Sequence, residues 1–376
     1  MRFIVGSLFM LGISCVSSAC LGDDFGVDDV IQLVRENESI YADIDVKVSE
    51  RYTTNPDTVV PLLDPNMKIS MENTAHIWSV GQNGMYRIEA AREYLHTDGT
   101  THSPRRVGMS DGRTTRSLNS GLNVVNKIDG HQYNKSFFLP HMLMLRPMGT
   151  GCRKYVTLSR YLSGSDALRR DKDCRWQSGI ELKVSYEGRD EHQGLQCHKL
   201  VITLLAGEIP HTRWTLWLAE HRNYIPVRML GFTLGVSDSI PDCEGAVSEL
   251  KELAPGIWCP MESHVTSYDP GAIQSESRQV MQWRQEYLVE SISLDPSYPL
   301  SFFQEMSVPD GTAIYEMNKE SKIVDSYRKG APQNAKEPKM STNSWWNFRL
   351  FLWGNAIFIG IVLVVMFVQK RRRDPK

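Results

Sequence analysis

The chain has 376 residues, with 42 Lys and Arg against 44 Asp and Glu and a formal net charge of −2. That balance gives no basic footprint for nucleic acid, and 41% hydrophobic residues are enough to build a sizeable folded core. The C-terminal tail is basic, so the part of the chain before it is somewhat acidic.

At the N-terminus, Arg2 leads an apolar stretch from Phe3 to Val16 that ends in the small residues Ser17, Ser18 and Ala19. This predicts a secretory signal peptide over 1–19. For a second membrane helix the stretch is short and lacks a cationic flank after it. Cys20 stands where a lipoprotein carries its acylated cysteine, although Ser17 replaces the usual leucine three positions earlier.

From Val27 to Glu38, the residues Val27, Val30, Ile31 and Val34 form one helical stripe, with Asp28 and Asp29 in the first turn, so a short amphipathic helix is expected. At Ser39 the period changes. Ile40, Ala42, Ile44, Val46 and Val48 alternate with mainly polar residues, the pattern of a half-buried strand. Strands are also predicted at His76–Val80, Gly84–Tyr94, Arg106–Met109, Thr114–Leu118, Leu182–Tyr186, Gln196–Leu205, Arg213–Leu218, Tyr224–Phe232, Ile257–Val265, Val280–Ile292 and Ala313–Glu316. Turn signals such as Gln82-Asn83-Gly84, Asp111-Gly112 and Gln193-Gly194 separate many of them. The spacing implies a mainly β, α+β chain with a strongly curved antiparallel sheet.

Two stretches interrupt the strands. Phe137 to Pro147 is apolar on more than one side and fits ordinary core better than a lid over the sheet. Arg153 to Arg175 mixes basic residues with Asp166, Asp171 and Asp173, is flanked by Cys152 and Cys174, and reads as a pinned, solvated excursion. From Asn318 to Asn343 the composition turns polar, which predicts a flexible tether with a reach of roughly 25 to 30 Å. Leu350 to Val368 then provides 19 almost uniformly apolar residues, long enough as a helix to span roughly 29 Å, close to a bilayer's hydrocarbon core. Lys370, Arg371, Arg372 and Arg373 follow and should stay cytoplasmic, with Trp345, Trp346 and Trp353 at the outer interface. The expected organisation is a signal peptide (1–19), an exported β-rich domain (20–317), a polar tether and interfacial segment (318–347), a transmembrane helix (348–369) and a basic cytoplasmic tail (370–376).

An exported location permits disulfides. The shortest separations, Cys152 with Cys174 and Cys243 with Cys259, would each close a loop worth about 3 kcal/mol in the chain-entropy model. Cys197 would pair with Cys20 or stay a buried free thiol. Catalytic signatures are missing from the sequence: it has no phosphate loop, nucleophile elbow, His-Glu-x-x-His or Cys-x-x-Cys. Cys197 and His198 are neighbours on a strand and point to opposite faces. His211 and His221 lack further ligands at a metal spacing. Asp171 and Asp173 adjoin Arg169, Arg170 and Lys172, as in a salt-laced loop. A non-enzymatic protein without cofactor or metal is therefore expected. Asn37-Glu38-Ser39 and Asn134-Lys135-Ser136 match the glycosylation acceptor pattern.

The order of elements is distinctive. An opening amphipathic helix runs into the strand Tyr41-Ala42-Asp43-Ile44-Asp45-Val46-Lys47-Val48. Tyr86-Arg87-Ile88-Glu89, Met109-Ser110-Asp111-Gly112-Arg113-Thr114-Thr115-Arg116, Gly194-Leu195-Gln196-Cys197-His198-Lys199-Leu200, Leu216 to Arg228 and Pro309-Asp310-Gly311-Thr312 follow. Over about Val27 to Asp310 this resembles the LolA-type outer-membrane lipoprotein carriers and their RseB-like relatives, in the style of large membrane-tethered planctomycete-type versions. The resemblance implies an incomplete antiparallel barrel wrapped around helices, with an apolar cavity for acyl chains. Two departures, the C-terminal anchor and the cysteine-flanked excursion, argue against free diffusion between membranes. The expected function is a single-pass envelope protein whose exported half-barrel binds a lipid or a lipoprotein acyl chain. The alternative is an envelope sensor or scaffold that binds a protein partner, with signalling passed through another membrane protein. The candidate cavity lining is Ile88, Leu200, Ile202, Leu204, Trp214, Leu216, Trp217 and Leu218.

Overall fold

The computed structural model describes residues 25–58, 70–96, 99–120, 124–129, 138–145, 156–170, 179–318 and 322–330. The expected signal peptide, Cys20, Cys152, Cys174, most of the tether, the span and the basic tail lie outside these residues. Among the described residues no helix is long and apolar enough to cross a membrane.

Helix α1 (Val27–Ser39) forms where the apolar stripe predicts it. Asp29 reaches back to accept the Gly26 N–H at 2.8 Å, and Val30, Ile31, Val34 and Glu38 are buried. The chain then enters a meander of β1 (Ile44–Thr54), β2 (Ser70–Gln82) and β3 (Met85–His96). The short β4 (Thr101–His102) pairs with β3, and β5 (Arg105–Ser110), β6 (Thr114–Asn119) and β7 (Val124–Asp129) continue the meander. After helices α2 (Leu158–Leu162) and α3 (Gly164–Arg170), a second meander runs through β8 (Ile180–His192), β9 (Leu195–Ala206), β10 (Ile209–Ala219), β11 (Ile225–Thr233), β12 (Cys243–Ala254) and β13 (Ile257–Tyr268). It ends, beyond α4 (Pro270–Glu276), in β14 (Met281–Leu294). The hairpins β2–β3 and β8–β9 close on two-residue turns in which Asn83 (φ 51°), Gly84 (73°), Gln193 (51°) and Gly194 (77°) all adopt positive φ, the type I′ geometry that matches strand twist.

Antiparallel pairing of β1 with β14, from Ile44 opposite Leu294 to Thr54 opposite Trp283, joins the two meanders into one sheet. Helix α5 (Leu300–Gln304) then leads to β15 (Ala313–Met317), which lies parallel to β7, and to the antiparallel β16 (Ile323–Arg328). Among the described residues the result is a single 16-stranded sheet, open between β8 and β16. Mainly β with a few helices and an open curved sheet is the architecture that the sequence predicts.

The sheet's inner face carries Val46 and Val48, Ile77, Tyr86 and Ile88, Leu200 and Ile202, and Leu216 and Met229. All are buried in one cluster with α1, Phe138–Leu145, α2 and α3. The Phe138–Leu145 segment is thus core, pinned through a 3-10 turn at Pro140–Met142. Within that turn, His141 Nε2 lies 2.6 Å from the Asn223 carbonyl, and its ring meets Tyr41 edge-on. The Asn223 side chain reaches Asn37 of α1 (3.0 Å), Gly256 (3.0 Å) and Trp258 (2.6 Å), tying the helix to the β12–β13 turn. On the outer face, Trp78, Tyr298, Phe302 and Arg87 pack into a strap that carries the chain from β14 towards β15, with the Arg87 guanidinium 4.7 Å from the Phe302 ring centroid. Beneath this strap, Met306 and Val308 cover Val107, Met109, Leu118 and Val125.

Three expectations are corrected. Cys243 and Cys259 are free buried thiols. In the β12–β13 register Cys259 faces Lys251, eight residues along β12 from Cys243. At about 3.3 Å per residue the two are far beyond disulfide reach. Cys197 is likewise free and buried. The excursion after Cys152 is not solvated where it is described, because α2 and α3 bury Leu158, Tyr161, Leu162 and Leu168. Residues 323–328, assigned to the tether, form β16.

Burial, with no partner for Nδ1 among the described residues, lowers the His141 pKa from 6.5 to about 4, against the raising effect of its bond to the Asn223 carbonyl. The unfolded chain therefore binds a proton in this window that the fold does not, so stability present above pH 6.5 is lost as pH falls towards about 4, on the order of 3 kcal/mol in total. His141→Gln keeps an N–H for the Asn223 carbonyl and is expected to flatten this part of the urea-stability profile. An unchanged slope would exclude His141 as the titrating group.

Candidate functional site

Ile88, Leu200, Ile202, Trp214, Leu216 and Leu218 share the inner face, but they are core, exposed by no more than 8% and packed in the same cluster as α1 and Phe138–Leu145. Leu204 packs partly buried against this cluster. The protein's own helices occupy the space that a ligand would need at these positions. Gly231 sits opposite Trp214 in the β10–β11 register, and a Cβ there would come within 2.3 Å of the indole. Trp217 does not share this face. It belongs to a separate cluster with Cys197, Ala219 and Val227, donates its indole N–H to Asp190 at 2.9 Å, and lies beside the Lys199 and Arg228 cations. It is therefore removed from the candidate lining, as strand alternation next to Leu216 and Leu218 requires.

Open space lies instead at the end of α1. A pocket of about 360 Å³ is walled by Arg35, Glu38, Ser39 and Ala42 on one side, Gly84 and Met85 of the β2–β3 turn, Leu139, and Thr157, Ser159 and Arg160 at the start of α2. Residues 35, 38 and 39 follow helical spacing and share one face of α1, and Ala42 extends that wall from the turn after the helix. The wall's buried carboxylate is committed: Glu38 accepts the Leu158 N–H at 2.6 Å and the Ser159 N–H at 3.2 Å, clasping α2 to α1. Burial raises its pKa above the usual 4.5, against the lowering effect of its hydrogen bonds to Ser159, Leu158 and Thr157. None of these residues is in the cavity lining that the sequence suggests. The legible signal is a polar residue, Glu38, that continues the buried stripe of Val30, Ile31 and Val34.

A second hollow, of about 520 Å³, lies on the sheet and is lined by Ser49, Arg51, His76, Ser248, Glu262, His264, Arg284, Glu286 and Leu288, among others. Its charges are largely paired, Arg51 with Glu72 at 2.8 Å and Arg284 with Glu286 at 3.0 Å. At its edge Ser49 Oγ lies 2.9 Å from His76 Nδ1 and donates to Glu290, while Glu290 lies 3.4 Å from the same His76 nitrogen. A relay needs the carboxylate and the hydroxyl on different ring nitrogens. Among the described residues no group of three or more His, Cys, Asp or Glu could hold a metal ion.

No protein-family model matches the chain, and no curated protein matches it. Solved structures do. A domain described as an outer membrane lipoprotein-sorting protein from Vibrio parahaemolyticus is similar at TM-score 0.40 and 10% identity, over 74% of this chain and 95% of that one. A DUF1329 family protein from Desulfovibrio piger is similar at TM-score 0.37 and 11% identity, over 74% of this chain and 96% of that one. A LolA superfamily protein from Nitrosomonas europaea is similar at TM-score 0.34 and 9% identity, over 75% of this chain and 98% of that one.

Glu38→Ala strips the Leu158 and Ser159 amides of their acceptor and should cost about 1–3 kcal/mol of stability. Glu38→Gln keeps an acceptor and removes the charge. Because the fold holds the Glu38 proton more tightly than the unfolded chain does, the wild type should lose stability relative to this variant as pH rises from 4.5 to 7; urea titrations at the two pH values read the difference. Gly231→Ala should cost about 1–3 kcal/mol by overpacking the Trp214 ring, measured the same way.

Proposed function

We propose that this is a non-enzymatic, membrane-anchored binding module that holds a hydrophobic ligand, a lipid or a lipoprotein acyl chain, in the pocket between α1, the β2–β3 turn and α2. The observation that carries the reading is the pocket itself. Among the described residues it leaves space between the sheet's filled inner face and the helices, and Ala42, Met85 and Leu139 give it apolar surface. Its volume of about 360 Å³ falls in the usual span of small-ligand sites, roughly 300 to 1,000 Å³. An acyl chain gains about 0.8 kcal/mol per buried methylene, so binding needs no polar motif. The LolA-type resemblance supports the same reading. In this proposal residues 1–19 direct export, 348–369 anchor the chain, and 370–376 stay cytoplasmic, which keeps the sheet outside the inner compartment.

A second reading, recognition of a protein partner, is favoured by the larger polar hollow around His76, His264 and Arg284. The two readings separate experimentally. Full-length protein purified into nanodiscs should carry acyl lipid by mass spectrometry in excess of an unrelated single-pass protein prepared alongside it. Ala42→Trp, which fills the pocket from an exposed position, should lower that excess at least about fivefold, a change of roughly 1 kcal/mol in binding, without changing the thermal midpoint. No excess in the wild type, or an excess that survives Ala42→Trp, would defeat the acyl-binding proposal.

A further inference from the structure

The polar groups around the pocket are unequal. Arg35 and Arg160 project from α1 and α2 on its two sides, both exposed, and both line it. Arg35 donates to Gln32 Oε1 at 2.9 Å and makes no ion pair among the described residues. Among the described residues its guanidinium is thus held by a neutral amide. The single carboxylate in the wall, Glu38, is buried and already accepts two backbone N–H groups of α2. The apolar surface of Leu139, itself 8% exposed, lies among the pocket's walls. A ligand that satisfies all of these walls at once has an apolar tail for the interior and an anion for the rim. Guanidinium groups bind carboxylate and phosphate through paired, charge-assisted hydrogen bonds.

We infer that the occupant of this pocket is an anionic amphiphile, with its acyl chain against Leu139 and Met85 and its carboxylate or phosphate head on Arg35. The inference rests on the reading of this pocket as a hydrophobic-ligand site and narrows its chemistry. A neutral or cationic head would make no charge-assisted bond to Arg35 and would itself lose water at the rim without return.

The test is calorimetric titration of the full-length protein in zwitterionic nanodiscs with dodecanoate, dodecyl phosphate and dodecanol, each corrected with empty nanodiscs. At least one anionic probe should bind about tenfold more tightly than dodecanol, the size of one charge-assisted contact. Arg35→Gln should remove that advantage and leave dodecanol unchanged, while Arg35→Lys should restore part of it. A preference for dodecyl phosphate over dodecanoate assigns the head to a phosphate-bearing lipid; the reverse assigns it to a free fatty acid. Equal affinity for all three probes, unaffected by Arg35→Gln, would overturn the anionic head while leaving the hydrophobic pocket intact. Failure of every probe, dodecanol included, would overturn the pocket reading itself.

Discussion

The antiparallel pairing of β1 with β14 is the constraint on which everything else rests. It unites residues more than two hundred positions apart, so its closure entropy must be met by what the joined sheet can bury. Along this seam Ile44, Val46 and Val48 of β1 face inward beside Val289 and Tyr287 of β14, and all five are buried in the central cluster. Without the seam there would be two meanders, each with one apolar face and no partner. With it, one curved sheet surrounds α1, and the apolar stripe of α1 has a place to go. The strap through Tyr298 and Phe302 follows from the same seam. The chain leaves β14 in the middle of the sheet and must cross the outer face to reach the edge beside β7.

Filling the concave side explains why a fold of this shape has its opening at an end. Helix α1, the Phe138–Leu145 segment and α2 occupy the hollow lengthwise, so the inner-face residues from Leu200 to Met229 meet protein and not space. Among the described residues, space survives where α1 runs out, beyond Glu38 and Ser39, where Ala42 and Gly84 bring little bulk. Glu38 stands at this boundary with a double role. It ends the buried stripe of α1 and accepts the first free amides of α2, so the geometry of the pocket wall and the docking of α2 depend on one carboxylate.

Much of the fold is legible in the sequence, because period-two alternation and the Asn83-Gly84 and Gln193-Gly194 turns are local signals that the tertiary structure leaves in place. Strand β12 is not. Its residues Val247, Leu250 and Leu253, set among Glu249, Lys251 and Glu252, have helical spacing and strong helix formers, yet they form a strand because β13 pairs along the whole of β12, while β11 holds only its first residues, Cys243 to Ala246. Pairing of this kind routinely overrides propensity. Strand β16 is hidden for a different reason: it is short, polar at Asp325, Ser326 and Arg328, and borrows its order from β15. The pocket could not be read from the sequence, since its walls come from four separate stretches, and the α1 stripe, the Asn83-Gly84 turn and the apolar 137–147 segment are each local signals that do not say they meet. The inner-face residues were legible as a set, and Trp217 fell outside that set by the alternation rule itself.

An open sheet must also avoid pairing with other chains, and the two edges do so differently. Strand β8 places Glu181, Lys183, Glu187, Arg189 and Glu191 along its length, and charges on an edge oppose the approach of a further strand. Strand β16 exposes Ile323 (51%), Val324 (65%) and Tyr327 (40%), which on a long flat edge would invite association. It is only six residues long, however, and its register with β15 shifts between Asp325 and Ile323. A short, bulged edge presents a poor template for continued pairing. The sheet can therefore remain open between β8 and β16, and an unclosed sheet is what lets α1 and its neighbours enter the concave side and leave a pocket at their end.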